Sequence, residues 1–539
     1  MIPRRQFIAG AASTAGVIAT PAMAAGAPTR AEVLAAMRQA TAFMTDRVAV
    51  NGGYVWSCLP DFSRRWGEME AFPGMIWVQP PGTATMGHLF LDAFHATGEE
   101  GYYAAAQEAA GALIAGQLPS GGWNYMIDFA GEESLRHWYA TIGRNAWRLE
   151  EFQHDWGNAT FDDAGTSEAM QFLLRMYVER CDPKIRAPLG KAVALVLGSQ
   201  QPGGGWPQRY PPTDAFGKGG RPDYTGFVTF NDDVAGENIK FLLMVRQSLG
   251  DQSLVEPIRR AMQVFLATQQ AAPQAGWSLQ YTPDLKPAGA RSYEPLALAT
   301  HTTASNIDQL MVFHRLTGDA AFLERIPEAL DWLESVKLAE PTKEGRTHPT
   351  FIEIGSNRPL YVHRRGSNVV NGAYFVNHNP VKTIGHYSAT RKIDLTGLRS
   401  RYGAARALSP AEASRGSPLL AEGRTPLPRF FALGDIQVSD LNSSGTRSAA
   451  PTPDAVRAIL GELTADGWWP TPLRSTSNPY AGDGQLEIAP GDFATTSVGD
   501  YTDTSPYLAD QPVIGISTGT FIQKMATLIG YLEGSGATA

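Results

Sequence analysis

Residues 189–207 read LGKAVALVLGSQQPGGGWP, an apolar stretch that ends in glycines and a tryptophan, and this pattern decides the fold. Its apolar residues recur at helical spacing, and the glycines that follow favour the end of a helix. The same pattern returns in segments 104–117, 258–270 and 454–465, which lead to Trp123, to Trp277 and to Trp468-Trp469. A degenerate first copy ends at Trp56. The chain therefore repeats one type of helix together with its loop.

A second type of helix alternates with the first and carries apolar residues at i, i+3 and i+4. Its copies cover residues 83–94, 166–177, 236–246, 305–315 and 520–532. This spacing marks helices with one buried face, which a single hairpin cannot cover, so neighbouring hairpins must stack. With a period of roughly 70 to 85 residues, the sequence predicts an all-α fold. We expect an α/α toroid of repeated helical hairpins, with long loops that contain glycine and tryptophan.

Most of the loop tryptophans are expected to pack between hairpins. Trp206 differs because Gln208 and Arg209 place polar groups beside it, which makes it a candidate substrate contact. The segment 394–453 breaks the repeat and is rich in Ser, Arg, Pro and Gly. We predict an irregular insertion there that either covers the mouth of the toroid or is partly disordered. Residues 25–393 then form most of the toroid, and residues 454–539 complete it with a last helical repeat.

The N-terminus resembles an export signal. Arg4 and Arg5 precede a small-residue apolar stretch, and Ala22-Met23-Ala24 resembles a cleavage site. The pattern predicts a twin-arginine signal peptide over residues 1–24, with an ordinary secretory signal as the alternative. We therefore expect an exported protein, periplasmic or secreted. No other apolar run is long enough to span a bilayer.

Composition narrows the range of partners. The chain has 539 residues, 43% of them hydrophobic, and a formal net charge of −8. A large core is possible, and no basic patch or motif suggests nucleic acid. We expect a monomer without nucleic-acid or membrane partners. The two cysteines, Cys58 and Cys181, either pair after export or remain buried thiols, which we favour.

Two acidic pairs stand immediately before two helices of the second type. They are Asp162-Asp163 and Asp232-Asp233, and they take equivalent places in the repeat. One aspartate per helix suits an N-cap, but a doubled aspartate adds repulsion between like charges. Four carboxylates on one rim suit a hard divalent cation with oxygen ligands, most simply Ca²⁺. From the residues alone, capping and metal binding both stay open.

Several arginines lie in rigid surroundings downstream of the acidic pairs. Arg291 lies in Pro287-Ala288-Gly289-Ala290-Arg291-Ser292-Tyr293-Glu294, and Arg358 and Arg364 follow. An arginine fork pairs bidentately with a carboxylate, so these residues could bind an acidic substrate. Surface or interhelical salt bridges are the alternative.

Five motifs in one order resemble the family-ten polysaccharide lyases, the toroidal pectate lyases. They are Asn158-Ala159-Thr160-Phe161-Asp162-Asp163-Ala164-Gly165-Thr166, Gly205-Trp206-Pro207-Gln208, Thr229-Phe230-Asn231-Asp232-Asp233, Ala290-Arg291-Ser292-Tyr293-Glu294 and Gly355-Ser356-Asn357-Arg358-Pro359. The resemblance implies an α/α toroid, calcium dependence and cleavage of polygalacturonate by β-elimination.

The resemblance also implies residue roles. Asp162 and one of Asp232 or Asp233 match calcium ligands, and the local alignment favours Asp232; Asp163 is the acidic neighbour of Asp162. Arg291 matches the catalytic base, and Arg358, Asn357 and, more loosely, Arg364 match substrate-binding positions. The family usually has Asn where this chain has Asp163, and its later Trp-rich segment is not recognisable here.

In β-elimination a base removes the C5 proton of a uronate and the 4-linked sugar leaves. Calcium neutralises the adjacent carboxylate and so stabilises the charge that develops. Because the pKa of arginine is above 12, an Arg291 base predicts an alkaline pH optimum.

Three alternatives use other residues or another reaction. A toroidal lyase for another uronate polymer could use a His/Tyr base, with His301, His363, His378 or the His386-Tyr387 pair. An inverting glycoside hydrolase would use Asp162 and Asp232 about 6.5–9.5 Å apart. A non-catalytic polysaccharide-binding protein would stack its loop tryptophans on sugars.

Overall fold

The computed structural model describes residues 26–143, 150–213, 223–365, 373–381, 383, 387–434, 450–473 and 513–535. The predicted signal peptide and His386 lie outside this part of the chain. The helices are α1 (Arg30–Phe43), α2 (Thr83–Thr97), α3 (Glu100–Ala115), α4 (Glu132–Ala140), α5 (Gly165–Arg180), α6 (Pro183–Ser199), α7 (Val234–Leu249), α8 (Val255–Thr268), α9 (Thr300–Thr317), α10 (Ala321–Glu324), α11 (Ile326–Ser335), α12 (Leu395–Arg406), α13 (Pro410–Ala413), α14 (Pro453–Glu462) and α15 (Thr518–Ser535).

The helices form two layers. The inner helices are α15, α2, α5, α7, α9 and α12, of which α15 packs on α2, α2 on α5, α5 on α7 and α9 on α12. The outer layer consists of α1, α3, α6, α8, α11 and α14. Because an outer helix lies between consecutive inner helices in the chain, the inner helices run in the same direction. The last hairpin lies against the first, since α15 packs on both α1 and α2. The predicted all-α toroid is confirmed.

The repeated loops have one geometry. Their tryptophan indoles donate to a backbone carbonyl of the preceding outer helix, in the pairs Trp123–Leu113 (2.7 Å), Trp206–Val196 (2.8 Å), Trp277–Phe265 (2.9 Å) and Trp469–Ile459 (2.9 Å). A glycine with positive φ precedes each turn in most copies. At Gly121 and Gly204 a Cβ would overlap a backbone carbonyl of the next outer helix, so no other residue fits. These tryptophans therefore lock each hairpin to its neighbour.

The first copy of the loop uses Tyr54 rather than Trp56. The backbone N–H of Tyr54 donates to Thr83 Oγ1 at 3.0 Å, and that of Trp123 donates to Thr166 Oγ1 at the same distance. Tyr54, two positions before Trp56, thus occupies the position that the tryptophan takes in the other copies. At the other end of the chain, Gly467 lies against Gln39 of α1, which joins the last repeat to the first.

Short antiparallel strands decorate the loops. They are β1 (Ser57–Cys58), β2 (Arg65–Trp66), β3 (Glu70–Ala71), β4 (Met75–Trp77), β5 (Met126–Asp128), β6 (Ala159–Thr160), β7 (Arg209–Tyr210), β8 (Val228–Thr229), β9 (Gln280–Tyr281), β10 (Pro287–Ala288), β11 (Leu298–Ala299), β12 (His348–Pro349), β13 (Phe351–Ile352), β14 (Pro359–Arg365), β15 (Ala373–Asn377), β16 (Thr390–Arg391), β17 (Thr471–Pro472) and β18 (Ile514–Ser517). Strands β6, β8 and β11 lead into the amino ends of α5, α7 and α9, so these loops share one rim of the toroid.

The segment predicted as an irregular insertion begins with the regular helix α12. Its later residues run under the carboxyl ends of the inner helices. Ser417 Oγ donates to the Leu316 carbonyl in α9 at 2.6 Å, and Arg424 Nε donates to the Leu249 carbonyl in α7 at 3.0 Å. Carbonyls at a helix end have no partner within the helix, and these side chains supply one. Residues 410–434 therefore form a floor opposite the rim, rather than the predicted cover over the mouth.

The two cysteines do not pair. Cys58 is buried, and burial raises the pKa of its thiol to about 11, whereas Cys181 is exposed. The prediction of buried thiols is thus confirmed for Cys58 and wrong for Cys181. None of the helices in the described ranges is both long enough and apolar enough to cross a membrane.

Candidate functional site

Two tight turns on the rim connect β6 to α5 and β8 to α7. In the first, Asp163 and Ala164 have positive φ angles of 49° and 57°; in the second, Asp232 and Asp233 have 51° and 54°. Residues other than glycine avoid this left-handed region, and such strain persists where the surroundings enforce it, often at functional sites. The matching backbones make Asp163 equivalent to Asp232. The predicted equivalence of the two acidic pairs is therefore off by one residue.

Three carboxylates converge where these turns meet, and we call Asp162, Asp163 and Asp232 the acidic trio. One oxygen from each lies within 4.8 Å of the others. Asp162 is buried and the other two are half-buried. Asp162 Oδ1 and Asp232 Oδ1 are buried without a hydrogen-bond partner. Buried carboxylate oxygens are normally satisfied, so these two point to an absent ligand.

The fourth predicted ligand, Asp233, lies outside the trio. Its carboxylate turns back over the first turn of α7, where it would overlap a Cβ placed on Gly236. The one-residue offset between the turns explains this, because Asp233 takes the position of Ala164. Asn231 then takes the position of Asp162, and its amide donates to Asp232 Oδ2 at 2.6 Å.

The trio carries strong electrostatic strain. Burial and the charge of the neighbouring carboxylates raise the pKa values of Asp163 and Asp232 well above the usual range. Burial opposes ionisation of Asp162 too, but Arg291 and hydrogen bonds from Asp232, Tyr125 and Gln208 hold its pKa below the usual value. Two of the three carboxylates thus resist ionisation, and a bound cation would remove that resistance.

Arg291 lies directly beside the trio. Its side chain is only 2% exposed. Nη2 pairs with Asp162, Nη1 with Glu294 at 2.9 Å, and Nε with Glu151 at 3.3 Å. Although burial lowers the pKa of this guanidinium, Asp162, Glu151 and Glu294 together raise it well above its ordinary value. Arg291 and the trio therefore form one cluster, in which the carboxylates favour the cationic form of Arg291.

Glu294 and Tyr387 hold the other side of Arg291. Glu294 also accepts from the backbone N–H of Arg291 at 3.1 Å and from the hydroxyl of Tyr387 at 2.5 Å. Asn231 Nδ2 in turn donates to the Tyr387 oxygen at 3.0 Å. This network links Arg291 to the turn that carries Asp232, so the position of Arg291 depends on both turns.

A second pair of residues orients the trio from the side of α2 and α3. The Tyr125 hydroxyl donates to Asp162 Oδ2 at 2.7 Å, and Gln79 Nε2 donates to Asp163 Oδ2 at 2.9 Å. Gln79 Nε2 also donates to Glu68 at 2.8 Å. Loops from five successive repeats therefore build one site.

Sequence reasoning missed several members of this site. Glu294 stands in the Arg291 motif, and Tyr387 was singled out only as a partner of His386. Glu151, Tyr125 and Gln79 belong to no pattern that the sequence reveals. They reach the site only through the fold, as the 140-residue separation of Glu151 from Arg291 shows.

The remaining predicted residues have other surroundings. Trp206 is fully buried, which contradicts its predicted contact with a substrate. Asn357 Oδ1 accepts from Trp332 Nε1 at 3.0 Å and from Gln274 Nε2 at 2.7 Å, so it anchors its own loop. Arg358 is 60% exposed and pairs with Glu353 at 3.1 Å. Arg364 belongs to β14, and its side chain lies outside the described part.

The histidines of the alternative base lie in varied places. His363 contacts Asn377 Oδ1 at 2.8 Å, and His378 contacts the Pro359 carbonyl at 2.7 Å. His301 stands on the first turn of α9, where burial and the charge of Arg391 lower its pKa well below the ordinary value. Of the His386-Tyr387 pair, only Tyr387 lies in the described structure, and it is in the site.

The hydrolase alternative fails on distance. Asp162 and Asp232 present oxygens within 4.8 Å of each other, whereas an inverting hydrolase needs about 6.5–9.5 Å between its carboxyl groups. No water and sugar ring fit between the two carboxylates in that arrangement.

Comparisons with known proteins give a family and several distant structural likenesses. Residues 129–381 match the family model described as pectic acid lyase. None of the curated proteins matches this chain significantly in sequence. A point mutant of a family 10 polysaccharide lyase from Cellvibrio cellulosa, in complex with trigalacturonic acid, is 17% identical, covers 60% of this chain and 96% of its own, and has a TM-score of 0.36.

Two further solved structures are similarly distant. A cellobiose 2-epimerase from Spirochaeta thermophila is 14% identical over 57% of this chain and 71% of its own, with a TM-score of 0.36. An inactive α-1,6-mannanase variant from Salegentibacter, in complex with α-1,6-mannotriose, is 12% identical over 93% of this chain and 98% of its own, with a TM-score of 0.34. At such low scores these likenesses support no conclusion about function. The family model matches residues 129–381, and this part of the chain, which includes the acidic trio and Arg291, is similar to the pectic acid lyases.

Proposed function

We propose that this protein is a polysaccharide lyase that cleaves polygalacturonate, or a closely related uronate polymer, by calcium-assisted β-elimination with Arg291 as the base. The observation that carries the proposal is the direct pairing of a buried guanidinium with one carboxylate of the acidic trio. A group that neutralises a uronate carboxylate and a group that takes its C5 proton must lie side by side. The trio and Arg291 have that relation.

The residues present fit a calcium ion. Calcium takes oxygen ligands, and the trio offers three carboxylates, two of them with a buried unpartnered Oδ1. Asp162, Asp163 and Asp232 would hold the ion. When bound, the ion would supply neutralisation of the uronate carboxylate and stabilisation of the charge that develops next to it.

The chain's own groups prepare Arg291 for proton transfer. Glu294 fixes Nη1 and Glu151 fixes Nε, so Nη2 is the nitrogen turned towards the trio. The three surrounding carboxylates keep this guanidinium protonated at rest. A neutral Arg291 is therefore rare near neutral pH, and the proposal requires activity that increases into the alkaline range.

The experiment follows the ultraviolet absorbance of the C4–C5 double bond. The mature protein is incubated with polygalacturonate at alkaline pH, with calcium and then with a chelator. We expect a rise that needs calcium and falls by about 10²–10⁴-fold in Arg291→Ala, the usual contribution of a general base. Reducing ends without a double bond would instead mean hydrolysis, and binding without any product would mean a non-catalytic protein.

Loss of Arg291 leaves buried carboxylates without their partner, so folding needs its own control. Thermal denaturation and calcium binding of Arg291→Ala should be measured beside the activity. Arg399→Gln is a matched control, because Arg399 lies on α12 and pairs at 2.9 Å with Asp331 on the surface. It should retain wild-type activity.

We also propose that the protein is exported by the twin-arginine route. The support is the Arg4-Arg5 pair and the small-residue stretch behind it. Replacing both arginines by lysine should leave the unprocessed chain in the cytoplasm, as measured by cell fractionation. Export of that variant would point to an ordinary secretory signal.

A further inference from the structure

Arg391 stands on the rim but lies beyond the residues 129–381 that match the family. It belongs to β16, which pairs with β12 so that Arg391 faces His348 in register. The residue after β12, Thr350, accepts at its carbonyl from the N–H of Thr300 at 3.1 Å, the first residue of α9. The strand therefore lies at the amino end of α9, next to the site.

Tyr387 connects this strand to the acidic trio. Its hydroxyl lies between Glu294 and Asn231, and Asn231 contacts Asp232. Tyr387 and Asp232 are also among the groups whose charges act on Arg391. Arg391 therefore lies on the Asp232 side of the trio, whereas Arg291 lies on the Asp162 side.

The guanidinium of Arg391 has no anionic partner in the described residues. Its Nε is buried without a hydrogen bond, and no carboxylate forms an ion pair with it there. Its cationic neighbour is Arg346, which donates from Nη1 to the Thr390 carbonyl at 3.2 Å. His301 adds a buried Nδ1 without a partner. Arg391 thus lies near a second arginine and a histidine, and within the described residues it forms no ion pair with a carboxylate.

The two arginines of the rim differ in what surrounds them. Three carboxylates hold Arg291 and raise its pKa. Burial without such partners lowers the pKa of Arg391 to about 10, with Arg346 acting in the same direction. A buried charge that the protein leaves unpaired is costly, and the cost disappears when an anion binds. Within the part of the chain that the structure describes, Arg291 is therefore paired with carboxylates and Arg391 is not.

We propose that Arg391, with Arg346 and His301 beside it, binds the carboxylate of a second uronate in the same polysaccharide chain. This inference rests on the proposed function, because it takes the first uronate to be the one at the acidic trio. A guanidinium fork matches a carboxylate bidentately, which suits this role. Arg391 is then a positioning residue that selects polymers with carboxylates on neighbouring sugars over polymers in which uronates are isolated.

The test compares the binding of a single uronate with the binding of a chain of three. Binding of galacturonate and of trigalacturonate is measured by calorimetry in the calcium-loaded Arg291→Ala protein, which cannot turn the ligand over. Arg391→Gln should weaken trigalacturonate about 10- to 100-fold, as expected for a charge-assisted hydrogen bond. It should leave monogalacturonate unchanged. Arg391→Lys should recover part of the loss, and Arg399→Gln should lose nothing.

Several results would overturn the proposal. Equal loss for monomer and trimer would place Arg391 at the first sugar, and no loss for either would remove it from binding. Absence of any trigalacturonate binding in the Arg291→Ala protein would also exclude it. In the active enzyme, a fall in kcat with KM unchanged would give Arg391 a role in the chemistry instead. Failure of the proposed function is seen separately, as wild-type protein that forms no double bond.

Discussion

Replacement of Asp163 by asparagine distinguishes a metal ligand from a helix cap. Asn and Asp cap helices about equally well, so a capping role predicts little change in stability. The Asn side chain can still accept the 2.9 Å hydrogen bond from Gln79 Nε2. What the substitution removes is one negative charge from the acidic trio.

The size of the effect follows from the geometry. Two unit charges 4.8 Å apart, the span of the trio, repel by about 3.5 kcal/mol at an effective dielectric constant near 20 and by about 0.9 kcal/mol in water. Asp163 is half-buried and its raised pKa keeps it partly protonated, so the lower part of this range applies. We expect Asp163→Asn to increase the free energy of unfolding of the calcium-free protein by about 1–2 kcal/mol.

With calcium the sign reverses. The ion loses a charged ligand and keeps a neutral one, and ligand charge sets affinity, so binding should weaken at least about tenfold, or about 1.4 kcal/mol. Urea denaturation with chelator and with calcium measures both effects in one protein. Asp182→Asn is the matched control, since Asp182 caps α6 by accepting from the Lys184 N–H at 2.9 Å. Equal destabilisation of Asp163→Asn with and without calcium would refute the metal site.

Other predictions concern the surroundings of the trio. Burial raises the pKa of Glu151 to about 7, which means that the folded state holds this proton more tightly than the unfolded state. The melting temperature in chelator should therefore fall as pH rises from the ordinary carboxyl range through about 7. A rise of the melting temperature over that range would contradict the raised pKa. Glu294→Gln removes a negative charge beside Arg291, so the alkaline limb of the pH–rate profile should move to lower pH. The weakened positioning of Arg291 should also lower kcat roughly tenfold. An unmoved profile would mean that Glu294 does not influence the base. Trp206→Phe should lower the free energy of unfolding by about 1–3 kcal/mol, as should Trp277→Phe, because each loses one indole hydrogen bond; KM should stay unchanged, and a rise in KM for Trp206→Phe alone would restore its contact with substrate.

The sequence predicts the fold well because the copies of the repeat share residue types as well as spacing. Each outer helix needs a residue that tolerates positive φ and an aromatic donor for a free carbonyl, and Gly-Gly-Trp supplies both. The floor under the toroid was missed for a related reason. Residues 410–434 contact the ends of inner helices through isolated side chains such as Arg424, and isolated contacts have no period to detect.

The sequence predicts only those site residues that lie in short motifs. The aspartates and Arg291 lie in short motifs, and all but Asp233 come together in the structure. Matching the two acidic pairs to each other gives the wrong register for the two turns. The preceding Thr-Phe dipeptide, at Thr160-Phe161 and Thr229-Phe230, gives the register that the structure has. Tyr387 lies 93 residues from its partner Glu294, and such separations leave no trace in local composition.

In the proposed mechanism, calcium and the proton on Arg291 are linked through one carboxylate. Asp162 pairs with Arg291 Nη2 and is also a member of the acidic trio, so a cation bound there competes with the guanidinium for the same charge. Binding of the ion must then reduce the negative potential that raises the pKa of Arg291. By thermodynamic linkage, deprotonation of Arg291 must strengthen calcium binding by the same factor. The carboxylates that keep Arg291 protonated in the absence of calcium are thus the groups through which bound calcium would lower the pKa of Arg291. In this way a buried, strongly paired arginine could act as a base.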